Sequence, residues 1–124
     1  IDAFKGLNAP FELTTYEALV NAREMLNENG IVLTNIISSL EGENTDFIEY
    51  EYATYKAVFN EVKIFKVFDE ENTETQNLIL VGIKGTPQIN EAKYEEYQSF
   101  FNREVTGFTT DKKVVTDDFA PIGN

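Results

Sequence analysis

The chain has 124 residues, 42% of them hydrophobic and 13% aromatic, which suits one compact domain with its own core and leaves no room in these residues for a large multidomain enzyme. Ten basic against 22 acidic residues give a formal net charge of -12, so nucleic-acid phosphates and anionic lipid are repelled while a small cationic or amine ligand, or a basic partner, is favoured. With neither Cys nor His, the chain has no disulfide, thiol nucleophile, imidazole base or Cys/His zinc site. Acid–base chemistry falls to carboxylates, Lys or Tyr, and any metal would need oxygen ligands alone.

The segment Lys5-Gly6-Leu7-Asn8-Ala9-Pro10 reads as a loop. Thr14-Thr15-Tyr16-Glu17 has the pattern of a capping box, with the Thr14 hydroxyl on the Glu17 amide and the Glu17 carboxylate reaching back. It opens a helix that runs to Asn29, with Gly30 as its left-handed stop. Residues 31–38 are apolar nearly throughout, which predicts a strand buried on both faces, as in a parallel sheet. Asn44 or Thr45 caps a second helix, whose stripe is Ile48, Tyr52, Tyr55 and Phe59. Strands follow at 62–68 and 77–83, joined by a polar link too short for a crossover helix, so these two are antiparallel neighbours. A third helix is expected over 90–102, and a short strand near 113–115.

Helix, strand, helix, strand, strand, helix makes an α/β domain: a parallel pair joined by a right-handed crossover and closed by an antiparallel strand. Ligands of such sheets bind beyond the carboxyl ends of the strands, here Asp2 with the loop after it, 38–43 and 69–76. Asp2 is the first candidate catalytic residue, because a carboxylate directly after a buried strand would project into a rim pocket and take an amine's proton or hold a cation. The competing role is to order its own loop. Gly82-Ile83-Lys84-Gly85-Thr86 lacks the spacing of a phosphate loop and reads as a strand end. Asp69-Glu70-Glu71-Glu74 and Asp117-Asp118 lack calcium-loop spacing and read as solvated surface, or as helix-capping duty for the second. The tyrosines and phenylalanine of the second helix read as core, not as a base-stacking platform.

Asp2-Ala3-Phe4-Lys5-Gly6 followed by Ala9-Pro10-Phe11-Glu12-Leu13-Thr14-Thr15-Tyr16-Glu17-Ala18 resembles the spermidine synthase-like branch of the S-adenosylmethionine-dependent methyltransferase fold. Asn29-Gly30-Ile31-Val32, Thr54-Tyr55-Lys56-Ala57-Val58-Phe59, Gln76-Asn77-Leu78-Ile79-Leu80-Val81 and Val115-Thr116-Asp117-Asp118-Phe119-Ala120-Pro121-Ile122 carry the same resemblance, in the same order. It implies the carboxyl-terminal half of a Rossmann-like, three-layer αβα fold, a mostly parallel sheet with its final strand inserted antiparallel. The whole of 1–124 would be a partial methyltransferase-like domain, starting at Ile1 inside a longer protein and downstream of the glycine-rich cofactor loop.

The same resemblance implies that Asp2 serves as base or cation anchor and that Phe4, Pro10 and Phe11 shape the substrate pocket. Lys5 stands where the aminopropyltransferases place a second aspartate, which points to a relative of spermidine synthase and not to a true one. S-adenosylmethionine or its decarboxylated form is the implied cofactor of the complete protein, with none expected on this chain. The expected partners are the amino-terminal half of the fold, an amine substrate and a second copy paired through an exposed sheet edge; nucleic acid is excluded. The alternative is a non-catalytic acidic interaction module derived from the same fold. No apolar run approaches the roughly 20 residues of a membrane span and no signal peptide opens the chain, so a cytoplasmic protein is expected.

Overall fold

A computed structural model describes residues 13–86, 95 and 97–119. Among the described residues, helices and strands follow in the order α1 (Tyr16–Glu24), β1 (Ile31–Ser38), α2 (Asp46–Val58), β2 (Glu61–Lys66), β3 (Gln76–Ile83), α3 (Gln98–Phe101) and β4 (Glu104–Val105). The fold is mixed α/β, with a four-stranded sheet in the order β1-β3-β2-β4. Every ladder in it is antiparallel. The expected hairpin of β2 and β3 is there. The expected parallel neighbours are not: β1 and β2 point the same way, but β3 lies between them and pairs with both.

β1 corrects the reading of a strand buried on both faces. Val32, Thr34, Ile36 and Ser38 are buried, whereas Asn35 and Ile37 are exposed. A continuous apolar run in sequence therefore serves a strand whose two faces differ, with α1 and α2 packed on one of them. On that face Leu19, Val32, Ile36, Ile48, Tyr55, Phe59, Ile64, Leu78 and Leu80 form the core. Register places Val32, Gly82 and Val62 in one row. A Cβ on Gly82 would collide with the Phe59 ring, so glycine here makes room for the aromatic end of α2. The opposite face holds Phe65, stacked on Phe100 of α3 at 4.6 Å between ring centroids.

α1 is shorter than its periodicity predicts and starts one residue later. Thr15 is the N-cap, its hydroxyl accepting the Ala18 amide at 3.2 Å. With Ala18 at the third helical position no capping box forms, and the Glu17 carboxylate instead accepts the Asp117 amide at 2.9 Å. The helix ends at Glu24, and Gly30 is not in the left-handed region. Lys84, just past β3, supports that end: its Nζ donates to Arg23 O in the last turn and to Leu26 O just beyond it, both at 3.1 Å. A cation at a helix carboxyl terminus also meets the negative end of the dipole. Lys84 is thus a structural cap, which agrees with reading 82–86 as a strand end.

α2 begins after Thr45, whose hydroxyl donates to Glu49 Oε2 at 2.5 Å and makes no bond to the helix backbone. Beyond β4 the chain becomes a strap. Phe108 packs edge-on against Tyr52, the Thr110 hydroxyl donates to Glu49 Oε1 at 3.1 Å, and Lys112 pairs with Asp46. Val115, fully buried, ends the run between the helices: its amide donates to Thr54 Oγ1 and its carbonyl accepts the Tyr16 amide. Residues 113–115 therefore form no strand; their backbone bonds go to helix side chains and a helix amino terminus. Of the helix expected over 90–102, the described helical part is Glu95 and the single turn of α3; 87–94 and 96 lie outside the described residues.

Candidate functional site at the carboxyl rim

Because β1 and β2 run the same way, their carboxyl ends reach one rim, where β3 begins. Two turns meet there. Residues 39–45 leave β1 with Gly42 at φ 80° and Asn44 at φ 61°, a left-handed bend that suits these two residue types. Residues 67–75 join β2 to β3. The Leu40 and Glu41 amides both donate to Asn72 O, at 2.8 and 3.1 Å, and Asn72 Nδ2 donates back to Glu41 Oε2 at 2.7 Å. Ser39 reaches across to Thr73 O and Thr75 Oγ1. Ser38 fixes the other side, donating to Asn44 O at 2.9 Å.

Two adjoining clefts open on this rim, and they share Glu41 and Asn72 as a common wall. The larger, about 490 Å³, lies between Leu40, Thr45, Glu49 and the strap at Val105, Gly107 and Phe108. The smaller, about 370 Å³, is bounded by Lys66, Asp69, Glu70 and Glu71. Carboxylates outnumber cations on both walls, with Lys66 engaged on Glu70 O at 2.5 Å. Such a rim offers acceptors to an amine or other cation and repels phosphate. Among the described residues, no group of three carboxylates is gathered closely enough to hold a metal.

Two of the expected rim segments, 38–43 and 69–76, are therefore brought together, and they are tied by direct hydrogen bonds. Asp2, Phe4, Pro10 and Phe11 lie outside the described residues. Asp117 and Asp118 are exposed in the turn closed by the Thr116–Phe119 bridge, beside the start of α1, and neither lines the two clefts. Asp69, Glu70, Glu71 and Glu74 are exposed, as expected for a hairpin loop, and the first three also border the smaller cleft.

One functional-type residue was overlooked by sequence reasoning. Glu51 sits on the buried face of α2, 1% exposed, with Oε1 accepting the Thr14 amide at 2.6 Å. Its Oε2 is buried and has no hydrogen-bond partner among the described residues. Burial pushes this carboxyl up to about 7, against the opposing effect of its bonds to Thr14. The signal was present: Glu51 stands three residues after Ile48 and four before Tyr55, inside the apolar stripe. Tyr55, beside it, is also held unionised by burial, and its hydroxyl is paired with Thr34 Oγ1.

No protein-family model matches the chain. A polyamine aminopropyltransferase of Vibrio vulnificus (strain CMCP6) is similar to it, 24% identical over 134 residues that take in 98% of this chain and 43% of the relative. The chain thus spans less than half the length of the relative it matches, and its relationship to the spermidine synthase-like transferases is distant.

Proposed function

We propose that the chain is the carboxyl-terminal, acceptor-side part of a spermidine synthase-like transferase, which moves an alkyl or aminopropyl group from a sulfonium donor to an amine-type acceptor. The observation that carries this reading is the likeness to an aminopropyltransferase along 98% of the chain. The sheet is compatible with it: a final strand inserted antiparallel between two co-directed strands is the arrangement that such a half-fold requires. On this reading the parallel remainder of the sheet lies beyond β1, whose outer edge carries no partner strand among the described residues.

On this reading the donor, S-adenosylmethionine or its decarboxylated form, is held elsewhere in the complete protein: among the described residues, no strand leads through a glycine-rich turn into a helix amino terminus of the kind that cradles such a cofactor. This chain's share is therefore the acceptor: an acidic rim that draws in and orients an amine, and Asp2 as the carboxylate that takes its proton. Phe4, Pro10 and Phe11 line the pocket in this assignment.

The test is Asp2→Asn in the full-length protein, assayed for transfer to polyamine acceptors. A general base of this kind is worth about 100-fold or more in turnover, with folding little changed. Unaltered turnover would leave Asp2 as a loop-ordering residue. For the isolated chain, calorimetric titration with S-adenosylmethionine should give no one-site isotherm at micromolar affinity.

A further inference from the structure

We propose that the Glu51 carboxyl is a proton-operated latch that fastens the start of α1 and the carboxyl-terminal strap onto α2. The proposal stands apart from the transferase reading and needs neither a donor nor an acceptor.

Three segments meet around one turn of α2. From before α1, the Thr14 amide donates to Glu51 Oε1 at 2.6 Å. From the strap, the Val115 amide donates to Thr54 Oγ1 at 2.9 Å, and Thr54 in turn donates to Tyr50 O. The two visiting segments are joined directly, since the Tyr16 amide donates to Val115 O at 2.6 Å. Thr14, Glu51, Thr54 and Val115 are all buried. Parting this junction would open a route for water to Glu51.

The carboxyl has two oxygens and a steady partner for one. In the neutral acid Oε1 takes the Thr14 amide and the proton resides on Oε2, which leaves one uncharged O–H without an acceptor among the described residues. Once the proton leaves, a full charge occupies a site where Oε2 meets no donor among the described residues, and a buried unpaired charge is far costlier than a buried neutral acid. The neighbouring charges do not rescue it. On α2 the Tyr55 hydroxyl is committed to Thr34, and Glu49 is a second anion, held by Thr45 and Thr110. On α1 Glu17 is also an anion, engaged by Asp117, and Arg23 makes no ion pair with Glu51 among the described residues. On the strap Lys112 pairs with Asp46 and Lys113 lies over the Phe119 ring, while Asp111, Asp117 and Asp118 add only negative charge. Hydration is the remaining relief, and hydration means lifting 13–16 and 114–116 off α2. With its ordinary value raised by burial to about 7, the carboxyl makes this exchange within the physiological range.

Amide hydrogen exchange by NMR from pH 6 to 8.5, with the intrinsic base-catalysed rate divided out, reads the latch at Thr14, Tyr16 and Val115. Their opening constants should rise at least tenfold across this range, staying larger than those of the β1–β3 ladder amides. In Glu51→Gln, which keeps an acceptor for Thr14 and cannot ionise, the rise should vanish. Should that variant fail to fold, the carboxyl carbon of Glu51 in the unsubstituted chain is titrated instead. A midpoint within one unit of 4.5 overturns the latch, and one near 7 upholds it. Equal pH dependence in both proteins, or exchange at the three amides that tracks the ladder at every pH, also overturns it.

Discussion

At Glu51 the same burial that creates an unpaired oxygen also ties stability to pH. The unfolded chain releases this proton near 4.5, whereas the folded chain holds it to about 7. Between those values unfolding releases a proton, so stability falls as pH rises, by about 1.4 kcal/mol per pH unit. The loss levels off above 7 after about 3 kcal/mol. Urea midpoints at pH 5, 6, 7 and 8 should show this decline in the unsubstituted chain and a flatter profile in Glu51→Gln; parallel profiles would refute it. Gly82 gives a second prediction at this scale. Gly82→Ala sets a Cβ against the Phe59 ring across the β1-β3-β2 row and should cost about 1–3 kcal/mol by overpacking, read from the same urea midpoints. Neither residue advertises its role by type. Glu51 was legible only as an acid out of place in an apolar stripe, and Gly82 as a glycine inside a strand.

The elements differ in how far local sequence decides them. β1 was legible to the residue, because turn-forming Asn29-Gly30 before it and polar residues after it bound the apolar run on both sides. Its partner was not, because eight apolar residues satisfy a parallel or an antiparallel neighbour equally, and β3's position between β1 and β2 is fixed by contacts remote in sequence. α1's start shifted by one because adjacent threonines both qualify as caps, and Glu17 found a better donor in Asp117, a hundred residues away. Its end moved because Lys84, also remote, takes over the carbonyls that Gly30 was expected to release. The same logic decided the site. The rim segments 38–43 and 69–76 were legible from strand order, while the larger cleft's third wall, the strap at 105–109, carries no periodicity that announces it. Thr15→Ala tests the reassigned cap: it should destabilise by about 1 kcal/mol in thermal or urea unfolding. A loss within 0.3 kcal/mol would return the capping role to Thr14.

For the whole molecule, charge is the property that the fold does least to neutralise. Among the described residues the ion pairs are Lys63 with Glu61 and Glu104, and Lys112 with Asp46. Other cations are spent on carbonyls and rings: Lys84 caps α1, Lys66 holds Glu70 O, and Lys113 lies over Phe119. Among the described residues most acids therefore face solvent without a cation, and a net charge of -12 on a 14.1 kDa chain repels itself. Compacting the chain draws those charges together, so repulsion weighs more on the folded state than on the unfolded one. Screening shrinks from a length of about 30 Å at 0.01 M salt to about 3 Å at 1 M. The few exposed ion pairs lose strength over the same range, but each is worth at most about 1 kcal/mol, and the unpaired acids outnumber them. Sodium chloride should accordingly stabilise this protein: the thermal midpoint should climb by several degrees between 0.01 and 0.5 M at pH 7, since about 1 kcal/mol moves a domain of this size by roughly 4 °C. A midpoint that stays level or falls would mean that the ion pairs, and not the excess of acid, govern the electrostatics of the fold.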